Sequence, residues 1–158
     1  MRSILVFVAF LLAVFLVAAI GGIATASGVQ DWYPSLNKPA WNPPAWIFGP
    51  VWTVLYLSIA VAGFLAWRAA GFRGAKWVMV VFTLQLMLNA AWSWIFFGLR
   101  QPGWAFVEIT LLWLAIVVTA IALFRVSRVG GTLFLPYLLW VTFAAALNFA
   151  IWRLNVAH

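Results

Sequence analysis

The run ILVFVAFLLAVFLVAAIGGIATA, residues 4–26, decides the fold class. It carries no charged side chain and is longer than the ~20 apolar residues a helix needs to cross a hydrocarbon core. It also lacks the period-2 alternation of a membrane-barrel strand. Four further segments read the same way, at about 45–67, 77–99, 104–124 and 133–152. The expected fold is an all-α membrane protein, one domain of five transmembrane helices over residues 1–158. Arg2 and the stretch Ala24-Thr25-Ala26 imitate the flanks of a signal peptide. The apolar run exceeds the usual h-region of about 7–15 residues, so an uncleaved helix is expected. Its Ala18, Ala19, Gly21 and Gly22 suit close packing on a neighbouring helix.

Composition agrees with this reading. The chain is 68% hydrophobic and 7% charged, against roughly 25% charged residues in a soluble domain. A water-soluble monomer and a disordered chain are both excluded. Cysteine is absent and the single histidine is His158, which removes disulfides, thiolate chemistry and multi-histidine metal sites. The two acids, Asp31 and Glu108, would have to meet to form any carboxylate-pair centre. The net charge of +7 does not point to nucleic acid, because the basic residues are scattered between apolar runs. Arg2, Arg68, Arg73, Lys76, Arg125 and Arg128 fall on one side of the membrane, and Lys38, Arg100 and Arg153 on the other. The positive-inside rule then places the N-terminus in the cytoplasm and the C-terminus outside.

Residues 27–44 form the long connection. Pro34, Pro39, Pro43 and Pro44 stiffen it and favour a non-helical course. Trp32, Tyr33 and Trp41 favour the membrane interface. From these residues alone, an interfacial anchor and a lid over a cavity are equally compatible. Pro44 can open the second helix. Thr132, after Gly130 and Gly131, is a candidate N-cap for the fifth, which places Pro136 near its first turn.

Helical spacing aligns one stripe on each of four spans. These are Trp52, Tyr56, Ala60 and Gly63; Gln85, Asn89, Trp92 and Phe96; Trp104, Glu108, Ala115 and Thr119; and Tyr137, Trp140, Ala144 and Asn148. Amides and small residues are costly or unproductive facing lipid, so the stripes are expected to point inward. As packing, they are glue between helices. Together beneath an aromatic loop, they describe an apolar pocket with a few polar anchors, suited to a large flat molecule that stacks on indole. Lys38, Arg100 and Arg153 share the loop side and can meet carboxylates or snorkel to the interface. Glu108 is expected as a carboxyl near the interface, neutral or hydrogen-bonded to an indole or amide, with a proton relay as the alternative.

The stretches WYPSLNKPAWNPPAW (residues 32–46), VWTVLY (51–56), NAAWSWIFFG (89–98), PYLLW (136–140) and ALNF (146–149) follow one another in this order. In this the chain resembles the tryptophan-rich sensory protein family, the bacterial relatives of the mitochondrial translocator protein (peripheral benzodiazepine receptor). The resemblance implies a five-helix bundle, usually a homodimer, in a bacterial membrane. It implies a cavity under the first loop for protoporphyrin-type tetrapyrroles, cholesterol-like lipids and synthetic isoquinolines, with porphyrin as ligand and no required cofactor. Trp52 and Trp140 match the tryptophans linked to light-dependent porphyrin breakdown. Tyr33 and Asn89 match pocket positions. With the stripes and loop, the candidate ligand-binding set is Tyr33, Lys38, Trp41, Trp52, Tyr56, Asn89, Trp92, Tyr137, Trp140, Ala144 and Asn148. Phe149 stands where the family's cholesterol motif has tyrosine, which counts against sterol binding. The third span has few small residues on one face, which leaves the dimer contact open. Three functions remain in view: a tetrapyrrole sensor or carrier, a porphyrin-degrading enzyme, and a partner-docking bundle.

Overall fold

The computed structural model describes residues 1–156; His158 lies outside them. Among the described residues there is no strand, and five helices are long and apolar enough to cross a membrane. Helix α1 spans Arg2–Val29 and is followed by a short helix α2, Trp32–Ser35. A 3-10 turn, Ala45–Ile47, leads into α3, Phe48–Gly74. Helix α4 covers Lys76–Ser93 and continues as a π turn, Trp94–Gly98. Helices α5, Pro102–Val126, and α6, Arg128–Asn155, complete the chain. The first connection is thus shorter and more helical than its prolines suggest. Pro34 sits inside α2, where a helix lacks internal partners for its first N–H groups anyway.

The helices close into a ring. Helix α1 packs on α3 and α4, α3 on α6, α6 on α5, and α5 on α4. Leu5, Leu12, Leu16 and Ile23 of α1 face outward, as lipid-facing residues of a spanning helix do. Five of the six basic residues at one end lie at helix termini or in the α3–α4 and α5–α6 connections; the sixth, Arg68, is in the last turns of α3. We call this the basic end, and the opposite one the loop end.

The start of α6 departs from expectation. Ser127, not Thr132, is the N-cap, and its Oγ accepts the N–H of Gly130 at 3.1 Å. Gly130 and Gly131 are helical and buried, and Pro136 lies inside the helix, exposed to the lipid side. The two glycines serve packing: a Cβ on Gly130 would stand 3.3 Å from the carbonyl of Ala62, and one on Gly131 would overlap the Phe124 ring at 2.4 Å. A proline there removes one helix hydrogen bond without ending the helix, as in many spans.

The basic-end half is densely filled. Phe7 meets Phe64 at 5.2 Å, Phe10 meets Phe82 at 5.9 Å, and Phe82 meets Phe134 at 6.3 Å. Between them lie Ile59, Ala60, Ala62 and Ala66, all fully buried. Small residues on α3 let its neighbours approach, and aromatic rings fill the remaining space.

Candidate functional site

At the loop end the ring of helices encloses a cavity of about 430 Å³, within the range of small-molecule sites. Helix α3 supplies Trp52 and Tyr56, α4 supplies Asn89 and Trp92, and α6 supplies Trp140, Ala144 and Asn148. Ile109 and Leu112 of α5 form the back wall, and Tyr33 of α2 closes the top. Eight of the sequence-derived candidates therefore line one space: Tyr33, Trp52, Tyr56, Asn89, Trp92, Trp140, Ala144 and Asn148.

The aromatic walls are ordered by their own contacts. Trp52 stacks on Tyr56 at 5.3 Å and meets Tyr137 edge-on at 6.2 Å. Trp140 packs against Phe48 at 5.9 Å and Phe143 at 5.5 Å. Trp92 stacks on Phe96 at 5.1 Å. The π turn admits one extra residue into the end of α4. Phe96 is thereby buried while Phe97, the next residue, also reaches the cavity and packs on Gly28 of α1.

The two amides and the tyrosine hydroxyls of the wall are already engaged. Tyr56 Oη donates to Asn89 Oδ1 at 2.7 Å, and Asn89 Nδ2 donates to Tyr137 Oη at 3.0 Å. This chain joins α3, α4 and α6. Trp92 Nε1 donates to Asn148 Oδ1 at 3.0 Å, and Asn148 Nδ2 donates to the carbonyl of Pro102 at 2.8 Å. That second chain joins α4, α6 and α5. Both amides act as cross-links and as cavity wall at once, so the glue and pocket readings of the stripes hold for the same residues. What remains facing the cavity is mostly indole, phenyl and small aliphatic surface.

Three candidates stand elsewhere. Tyr137 is fully buried behind Asn89 and shapes the wall from outside it. Trp41 is half exposed and packs on Phe143 at 5.8 Å. Lys38 does not offer a free charge: its Nζ donates to the carbonyls of Tyr33, Pro34 and Leu36 at 2.8, 3.1 and 2.8 Å, and lies 5.1 Å from the Tyr33 ring centre. A connection rich in proline leaves carbonyls without helix partners, and the ammonium collects them. Arg100 and Arg153 are exposed and likewise stand outside the cavity lining.

Of the α5 stripe, Glu108 points inward as expected and Trp104 does not. Trp104 is 69% exposed, because it falls in the first turn of α5 and points out at the interface. Glu108 is buried, and among the described residues neither carboxyl oxygen meets a hydrogen-bond donor. It sits about 9 Å into α5.

One hydrogen bond closes the loop on itself, and a pair of them ties it to α6. Tyr33 Oη donates to Asn42 Oδ1 at 2.8 Å. Burial raises the Tyr33 phenol above its ordinary pKa and the Asn42 bond lowers it, burial having the larger effect. The side-chain amide of Asn155, at the end of α6, pairs with the Asn37 backbone: Asn37 N–H donates to Asn155 Oδ1 at 3.0 Å, and Asn155 Nδ2 donates to Asn37 O at 2.9 Å. Sequence reasoning missed Asn155, since nothing local marks a residue whose partner lies so far along the chain.

It also missed the α1 wall. Ala18, Gly22, Thr25, Ala26 and Val29 line the cavity. Opposite them stand Ala45 and Gly49. Gly22, Ala26, Ala45 and Gly49 are exposed as well, so the cavity reaches the surface of the bundle between α1 and α3.

The profile of the TspO/MBR family matches residues 9–153. The chain is 43% identical to the tryptophan-rich protein TspO of Archaeoglobus fulgidus, over 97% of this chain and 99% of that protein. It is 43% identical to the translocator protein of Homo sapiens over 78% of this chain and 75% of that one. Identity to the tryptophan-rich sensory protein of Cereibacter sphaeroides is 38%, covering 87% of each.

Proposed function

The chain belongs to the TspO/MBR family, and from that premise we propose that it binds a protoporphyrin-type tetrapyrrole within the membrane, as a sensor, regulator or carrier. One observation carries the reading: a cavity of about 430 Å³, open between α1 and α3, walled by Trp52, Trp92, Trp140 and Tyr56, with the amides around it engaged by other helices. Such a wall rewards a flat, apolar π surface and penalises a compact polar solute, which would find few free partners. The gap between α1 and α3 gives a hydrophobic ligand access from the bilayer. Flat synthetic isoquinolines fit the same description. Sterol is outside the proposal, given Phe149 in the cholesterol motif. The basic-residue asymmetry supports a cytoplasmic N-terminus, and the family resemblance supports a homodimer.

Because Lys38 is held by three carbonyls, propionate recognition contributes little and stacking dominates. Haem iron takes an axial His, Cys, Met or Tyr. Tyr33 and Tyr56, the tyrosines on the wall, each give their hydroxyl to an asparagine. Titration of the protein in detergent with metal-free protoporphyrin and with haem, followed by tryptophan quenching, should give similar affinities that change little with salt. A spectrum of protein-ligated iron with much tighter haem binding contradicts this reading.

A second reading rests on a specific placement. Trp52 and Trp140 face the same cavity from α3 and α6, so a photoexcited porphyrin between them would have an oxidisable indole at hand. Loss of porphyrin absorbance under light, with turnover, supports this enzyme-like activity; stable absorbance leaves binding alone.

A further inference from the structure

Glu108 is the acid that lies inside a span, and nothing in the cavity wall employs it. It is 7% exposed, and among the described residues neither carboxyl oxygen meets a donor. We propose that Glu108 is a positioning residue of the cavity, acting through Trp92, that makes ligand occupancy depend on a proton. Neutral, the carboxyl stands beside the indole and leaves its N–H to Asn148. Ionised, it draws that N–H to itself and slackens the wall on which a ligand stacks. The inference rests on the ligand reading above and gives that same site a regulator.

Helix register brings the two residues to one level. Thr119 Oγ1 of α5 donates to the carbonyl of Val81 of α4 at 3.1 Å. The two helices run antiparallel, and Glu108 and Trp92 each lie about three turns from that contact toward the loop end. The same whole-turn spacing keeps Glu108 on the face of Thr119, turned toward α4. On the other side, Trp113 Nε1 donates to Thr142 Oγ1 at 2.8 Å, which sets Glu108 opposite Leu147 and beside Asn148. The Trp92–Asn148 bridge therefore crosses α5 at the height of the carboxyl.

An ionised carboxylate without a donor is strongly penalised in an apolar interior, so this arrangement suits the neutral acid. Its neighbours along α5 are Ala105, Ile109 and Leu112, all buried. No cation compensates it among the described residues. The other ionisable side chain of α5 is Arg125 and that of α4 is Lys76, both at the basic end; the π turn has none. Helix α3 brings Tyr56, Arg68 and Arg73, and α6 brings Arg128, Tyr137 and Arg153. The two tyrosines share Asn89. Arg68, Arg73 and Arg128 lie at the basic end, and Arg153 is exposed at the loop end. When the proton leaves, the donors at the level of the carboxylate are thus the Trp92 indole and the Asn148 amide. A bond from N–H to a charged acceptor is roughly twice as strong as one to a neutral amide, so the Trp92 N–H changes partner.

That exchange reaches the ligand. Trp92 lines the cavity and stacks on Phe96 at 5.1 Å. Phe96 in turn meets Trp32 at 5.5 Å and Tyr33 at 6.3 Å, both in the lid. A displaced Trp92 indole changes the stacking wall and the seat of the lid together.

The test uses the full chain in detergent, labelled with ¹⁵N at its tryptophan indoles, without ligand. As the pH is raised, the Trp92 N–H resonance, assigned by its loss in Trp92→Phe, should move in wild type and stay still in Glu108→Gln. The Trp113 resonance, whose partner is Thr142, should stay still in both. Affinity for an uncharged isoquinoline carboxamide, read by tryptophan quenching, should fall about fivefold over the same range in wild type, on the scale of coupling between sites. In Glu108→Gln it should not change with pH. A wild-type Trp92 resonance that ignores pH overturns the proposal, as does the same titration in Glu108→Gln. A Trp92 shift that depends on Glu108, without ligand binding at any pH, would support the switch and sink the ligand reading.

Discussion

At the basic end of the bundle, Gly63 and Gly131 are places where aromatic rings rest; at the loop end, Gly22 and Gly49 face nothing. A Cβ on Gly63 would lie 2.7 Å from the Phe10 ring and 2.8 Å from the Phe82 ring. One on Gly22 or Gly49 would meet no atom within 4 Å. The same helices build both halves, so the cavity does not come from a shortage of bulk. It comes from where the small residues point. Along α1, Gly21 and Gly28 turn toward α4 and let Ser93 and Phe97 close that seam. Gly22, one residue and about 100° on, turns toward Gly49 of α3 and Ala45 of the 3-10 turn before it. One seam of α1 is zipped and the other is left open.

The largest expected effect breaks this contrast directly. Gly63→Leu drives a side chain into two rings and should destabilise the fold by about 2 kcal/mol, the usual cost of overpacking. Gly22→Leu should leave thermal unfolding in detergent unchanged while weakening protoporphyrin binding. Equal destabilisation by the two variants would mean that the halves are packed alike.

A smaller effect is expected from the cross-link that borders the cavity. Asn89→Leu removes the bridge between Tyr56 and Tyr137 and leaves the buried Tyr137 hydroxyl without it. A loss of about 1 kcal/mol is expected, on the scale of hydrogen bonds between membrane helices, read by unfolding in mixed detergent. No loss would show that the amide belongs to the wall alone.

The smallest effect concerns the lid. Asn155→Ala frees the Asn37 backbone from α6. Stability should change by only a few tenths of a kcal/mol, as for an exposed contact. Release of bound porphyrin, followed by stopped-flow fluorescence, should accelerate several-fold. An unchanged release rate would mean that the ligand leaves by the α1–α3 gap without lid motion.

The spans were legible because hydropathy needs only length and composition. Helix α6 shows where that stops. Gly130, Gly131 and Pro136 read as punctuation, but two of them are packing surfaces against Ala62 and Phe124, and the third is tolerated in a helix within a bilayer. A sequence shows that a glycine is small, not what it is small for. The stripes located Trp52, Tyr56, Asn89, Trp92, Trp140, Ala144 and Asn148 on the wall, since each projects from a regular helix of known period. Lys38 was not legible in the same way. Its partners are carbonyls of a loop whose path no periodicity sets. Trp104 failed for a related reason: a stripe extended to a helix end leaves the bundle.

The claim that the loop-end cavity holds a flat aromatic ligand is tested most directly by protoporphyrin titration of four single variants. Trp52 and Trp140 border the cavity, whereas Trp67 and Trp77 lie at the basic end. Trp52→Phe and Trp140→Phe should each weaken binding by about 1 kcal/mol, the scale of aromatic pair energies. Trp67→Phe and Trp77→Phe should bind as wild type does. Equal losses in all four, or losses confined to the basic-end pair, would contradict the placement of the ligand and return the aromatic stripes to packing.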